Sequence, residues 1–128
     1  MRNSVEFLKI FERLKRILRK YDKKFKVIVN NEYSLSYYGG YSAKFKQDLY
    51  FGGTEIKKNY VSFHLMPVYM YQELIDSVPE ILKNRMQGKS CFNFKKFEEP
   101  LFKELEIFTE KAFKIFKERG ENITVESK

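Results

Sequence analysis

The chain has no tryptophan, one cysteine, one histidine and three prolines in 128 residues. A single thiol excludes an internal disulfide and fits a reducing compartment. One imidazole and one thiol are too few for a closed zinc site built from Cys and His. No apolar run approaches the roughly 20 residues that a membrane-spanning helix needs. Charges interrupt the N-terminal RNSVEFLKIFERLKR every two or three positions, unlike a secretory leader. Phosphate-loop, dinucleotide and zinc-protease motifs are missing, and the glycine pairs at 39–40 and 52–53 lack the required spacing. The signature residues of RRM, KH and OB domains are missing too. The expectation from these absences is a soluble cytoplasmic protein with no membrane partner, no cofactor, no metal site and no catalytic residues.

What is present in excess is aromatic: 13 Phe and 9 Tyr. Each buried ring removes a large apolar area from water, so few are needed to build a small core. The length predicts one domain, over residues 1–120, with a flexible tail over 121–128. The net charge is +8 and unevenly spread. Residues 1–24 hold nine basic and three acidic groups, a balance of +6, whereas residues 98–128 hold six against eight. A basic front half suits a polyanion or an acidic partner, or serves only to solvate the domain.

The first element is a helix. Asn3 and Glu6 have capping-box spacing, and Phe7, Ile10, Phe11, Leu14, Ile17, Leu18 and Tyr21 recur at three- and four-residue steps. Lys9, Arg13, Arg16 and Lys20 form a second, basic stripe. Asp22-Lys23-Lys24 ends the helix. Strands are expected at Phe25–Val29, Tyr33–Tyr38 (closed by Gly39-Gly40), Leu49–Lys57, Tyr60–Met66 and Ser90–Lys95, with an irregular stretch from Tyr41 to Asp48. Gly52-Gly53 inside a strand indicates a bulge or a close backbone approach. Pro67 stops pairing, Val68–Ser77 reads as helix, and Glu80–Gln87 reads as a second short helix capped by Gly88. Pro100 opens a long amphipathic helix that Gly120 stops. Strands grouped between two amphipathic helices predict an α+β fold: an antiparallel sheet of about five strands, with both terminal helices on one face and a small helical insert.

Strand YVSFHLMP, a helix ending in MQGKSCFNFKK and an amphipathic C-terminal helix together resemble the YdhG-like domain family of bacterial proteins. The likeness is concentrated in residues 60–95. It implies a frataxin-like two-layer sandwich, and, from a role proposed for one family member, an intracellular iron chaperone as one reading.

Period-two alternation sends Val61, Phe63, Leu65, Phe92 and Phe94 toward the helices. Tyr60, Ser62, His64 and Met66 then point the other way, as do Cys91 and Asn93. If the two strands are neighbours, His64 and Cys91 share the uncovered face, where they could form a thiolate pair or two soft ligands. Eight tyrosines lie between positions 33 and 71. The preferred expectation is a non-enzymatic binding or chaperone-like module. It presents Tyr60, Ser62, His64, Cys91, Asn93 and Tyr37 to a small ligand or a protein, a second copy included. The alternative is a nucleic-acid binder using Lys9, Arg13, Arg16, Lys20, Lys57 and Lys58.

Overall fold

A computed structural model describes residues 5–42 and 46–119. The cap at Asn3, the stop at Gly120 and the tail over 121–128 lie outside the described residues. The chain runs α1 (Val5–Arg19), β1 (Lys26–Asn30), β2 (Ser34–Ser42), β3 (Gln47–Ile56), β4 (Val61–Leu65), α2 (Met66–Met70), α3 (Gln72–Asp76), α4 (Glu80–Lys83), β5 (Met86–Gln87), β6 (Cys91–Phe94) and α5 (Glu99–Arg119). The six strands form one antiparallel sheet in the order β1-β2-β3-β4-β6-β5.

The α+β architecture with both long helices on one sheet face is as expected, and ring contacts between layers fix it. Tyr21, just after α1, stacks on Phe113 of α5 at 4.6 Å. Phe25 stacks on Phe51 of β3 at 4.4 Å. Phe92 and Phe94 of β6 meet Phe108 and Phe102 of α5 edge-on. Val61, Phe63, Leu65, Phe92 and Phe94 are all fully buried on this side. Burying one such Phe stabilises by about 1.5–3 kcal/mol, so this layer dominates folding.

Several boundaries differ from the sequence expectation. There are six strands among the described residues, not about five, because Met86–Gln87 pairs with Phe92 and Cys91 instead of ending a helix. The backbone N–H of Asn93 donates to Arg85 O at 2.8 Å, so this short strand satisfies the edge that β6 would otherwise leave open. Gly88 does take the left-handed conformation (φ +75), but in the β5–β6 turn, not at a helix end. β2 runs through Gly39-Gly40 to Ser42. The irregular stretch is shorter than expected, since β3 already begins at Gln47. The helix expected over 68–77 breaks at Tyr71, which is extended (φ −123, ψ 116) and whose N–H closes α2 on Pro67 O. Pro67 stops the sheet by opening α2. α1 ends at Arg19, and Tyr21 and Lys24 lie in the turns that follow.

In β3 the two glycines allow close strand approach. A Cβ on Gly52 would lie 2.5 Å from His64 O of β4, and one on Gly53 would lie 2.5 Å from Leu35 O of β2. The register slips here: Tyr37 pairs with Gly52 but Tyr38 with Tyr50, leaving Phe51 as the extra residue. This bulge changes which face each β3 side chain meets.

Candidate functional site

Pairing of β4 with β6 sets His64 directly opposite Cys91 and Ser62 opposite Asn93. The side chains then form a chain of polar contacts. Cys91 Sγ lies 3.8 Å from His64 Nε2 and donates to Asn93 Oδ1 at 3.4 Å. Asn93 Nδ2 donates to Gln87 Oε1 of β5 at 2.5 Å. The condition that the sequence leaves open, neighbouring strands, is met, so His64 and Cys91 share the face without helices, and Gln87 extends the chain.

Tyrosines flank this chain through β3. The Tyr50 hydroxyl lies over Gly53, where an added Cβ would come within 2.7 Å of it. The Tyr50 and Tyr38 rings are 5.1 Å apart. Glu55 shares the face and pairs with Lys57 at 3.2 Å.

Burial sets the electrostatics. It lowers the His64 pKa, with the Lys57 charge adding to the effect and Glu55 opposing it. It raises the Cys91 pKa, against a smaller contribution from Lys57. Burial likewise holds the Tyr50 phenol neutral, helped by Tyr38, Cys91 and Glu55. A nucleophilic Cys–His pair needs the opposite shifts, toward thiolate and imidazolium. The Gln87–Asn93–Cys91–His64 chain is instead a set of neutral donors and acceptors beside rings, with the mutually paired Glu55 and Lys57 as the charged groups next to it.

The other expected site residues divide. Tyr60 immediately precedes β4 and is half-buried. Ser62 lies on the right face but is only 1% exposed, with its hydroxyl directed to Glu55 O, so it is out of a ligand's reach. Tyr37 is a correction: it is fully buried on the helix side, and its hydroxyl donates to Asp22 Oδ1. It shares the inward parity of Leu35, two residues before it in β2. Tyr38 and Tyr50 are the two of the eight tyrosines between positions 33 and 71 that flank the patch, and Gln87 is an addition that the sequence does not single out. The spacing of Tyr50 from Glu55 hides their common face, because the bulge adds one residue between them.

The basic stripe on α1 is also corrected. Arg13 is buried between helices, its guanidinium bonded to Glu99 at 2.9–3.2 Å and to Glu106 at 3.0 Å. It lies three residues after Ile10 and four before Ile17, at the seam with α5. The hydrogen bond from Arg13 holds the Glu99 carboxyl below its usual range. Burial pushes Glu106 up, but hydrogen bonds from Lys20 and Arg13 outweigh it and lower its pKa. Lys20 pairs with Glu106 at 3.1 Å. Lys57 belongs to the sheet face, and Lys58 lies in the β3–β4 turn. The six cations thus do not make one continuous surface. The glutamates of α5 tie elements together: besides the Arg13 contacts of Glu99 and Glu106, Glu110 accepts from Tyr21 Oη at 2.7 Å. Among the described residues no group of three or more His, Cys, Asp or Glu is placed to hold a metal ion.

Neither a family model, nor a curated protein, nor a solved structure matches the chain.

Proposed function

We propose that the protein is a non-enzymatic binding module whose uncovered sheet face takes a small, neutral, hydrogen-bonding aromatic ligand. The observation that carries this reading is the Gln87–Asn93–Cys91–His64 chain beside Tyr50, with both titratable members held neutral by burial. Neutral donors and acceptors next to rings recognise shape and hydrogen-bond pattern without attracting ions. The same neutrality speaks against nucleophilic catalysis by Cys91. Kinship with the YdhG-like family belongs to the same proposal; its support is the order of β4, helical insert, last strand and terminal helix. The iron-chaperone and nucleic-acid readings gain no observation of their own.

Amide NMR with a library of neutral aromatic heterocycles tests the proposal. Saturable shifts should localise to Tyr50, His64, Cys91 and Asn93. His64→Ala and Tyr50→Ala should each weaken the best hit by about tenfold or more. Shifts scattered over the surface, or hits that bind both variants as tightly, would remove the reading.

A further inference from the structure

On the opposite layer, α1 and the loop before α5 enclose a groove of about 940 Å³, lined by Val5, Leu8, Lys9, Arg16 and Phe97 among others. Val5, Leu8 and Phe97 are 71%, 42% and 39% exposed, three of the few large apolar side chains left in water. Phe97 is nevertheless fixed: its N–H donates to Glu6 at 2.8 Å and its ring packs edge-on against Phe102 at 5.1 Å. A second groove of about 500 Å³ shares Arg13 with the first and continues along α5 past Ile107, itself 66% exposed, to Lys20 and Lys103.

Five cations and four carboxylates line this double groove, a small positive excess. Glu12 is paired with Lys15, and Glu106 with Arg13 and Lys20, whereas Glu6 and Glu110 accept from the neutral Phe97 amide and Tyr21 hydroxyl and keep their charge. Lys9, Arg16 and Lys103 form no ion pair among the described residues, although Arg16 and Lys103 help keep Glu99 ionised through space. From Val5 to Arg19, α1 runs fourteen steps along the groove, about 21 Å at 1.5 Å per residue.

We propose that this groove docks an acidic amphipathic helix of about four turns from a protein partner. Its apolar stripe covers Val5, Leu8, Phe97 and Ile107, and its carboxylates meet Lys9, Arg16 and Lys103. A nucleic acid fits less well. It would leave the four apolar side chains without partners, and it would find Arg13 and Lys20 already neutralised.

Selection of a displayed library of random 18-residue peptides on the full-length chain tests this. Enriched peptides should be acidic, with Leu, Ile or Phe at three- and four-residue steps. By fluorescence anisotropy, a synthetic winner should lose about tenfold or more in affinity for Lys9→Glu/Arg16→Glu and, separately, for Leu8→Ser/Phe97→Ser. These are exposed positions, and circular dichroism should show both variants folded. The proposal is overturned if no peptide enriches or if the winners are not acidic. It is equally overturned if the charge-reversed protein binds as tightly as wild type, or if a mixed-sequence oligonucleotide displaces the peptide at physiological salt.

Discussion

The β4–β6 ladder and the β2–β3 ladder belong to one sheet but follow different rules. In the first, alternation is unbroken: Val61, Phe63, Leu65, Phe92 and Phe94 go to the helices, while His64, Cys91 and Asn93 go to the open face. In the second, a bulge at Phe51 and two glycines pressed against neighbouring carbonyls shift the phase partway along. The regular ladder fixes the core and half of the polar patch. The bulged ladder decides which tyrosines join that patch, and it sends Tyr37 inward while Tyr50 goes outward.

The largest effect should come from breaking the regular ladder on its inner side. Phe92→Ala removes a fully buried ring that meets Phe108, and should cost about 3–5 kcal/mol in urea denaturation. A loss under about 1 kcal/mol would mean that the ring is not part of a packed layer.

Breaking the bulged ladder comes next. Gly53→Ala puts a methyl against Leu35 O and the Tyr50 hydroxyl, so backbone must move, at about 1–3 kcal/mol. Gly88→Ala sharpens the contrast. Nothing lies within 4 Å of the added carbon there, so only the left-handed backbone resists, at about 1 kcal/mol. In addition, Gly53→Ala should shift the Tyr50 and Cys91 resonances, whereas Gly88→Ala should leave Tyr50 in place. If the two variants prove equal in both respects, close approach is not what the β3 glycine provides.

Arg13 ranks third. Arg13→Met keeps much of the buried stem but leaves Glu99 and Glu106 without their guanidinium. Both carboxylates reach solvent and Glu106 keeps Lys20, so the loss should be only about 1–2 kcal/mol at neutral pH. Both pKa values are lowered in the folded state, so the stability they contribute is present above about 4.5 and fades as pH falls through the folded values. The variant should therefore lose less stability than wild type on acidification below 4.5. Parallel acid profiles for the two proteins would contradict the bridge.

The same contrast explains what could be read from the sequence. VSFHL and CFNF report their own phase, because each inward position is apolar and each outward one is polar in the stretch that matters. His64 and Cys91 were found that way. Gly52 and Gly53 signal a bulge or a close approach, and both are present, but they have no side chain with which to report a phase, so the face that Tyr50 meets is not legible. Arg13 lies at a seam position that looks solvent-facing until the carboxylates of α5 are set beside it. Met86–Gln87 has good helix formers, and only the unpaired edge of β6 makes it a strand. At Gly88 the left-handed conformation was legible, although the element it serves was not.

The smallest effect tests the open face alone. Burial lowers the His64 pKa, so the unfolded chain takes up a proton at that site before the folded one does. Its contribution is present above 6.5, its ordinary value, and is lost as pH falls through the lower folded value. Cys91 has the opposite sign: its raised pKa gives stability that is present below 9.0, its ordinary value, and fades as pH rises through the folded value. The outer face should thus favour a plateau between these limits, separate from the carboxylate window below 4.5. Urea denaturation at a series of pH values should show a steeper fall below 6.5 for wild type than for His64→Gln. Above 9.0, Cys91→Ser should flatten the alkaline limb without altering the acid one. If either substitution changes both limbs alike, the imidazole and the thiol are not titrating as separate neutral groups, and the patch has lost the property on which its proposed ligand preference rests.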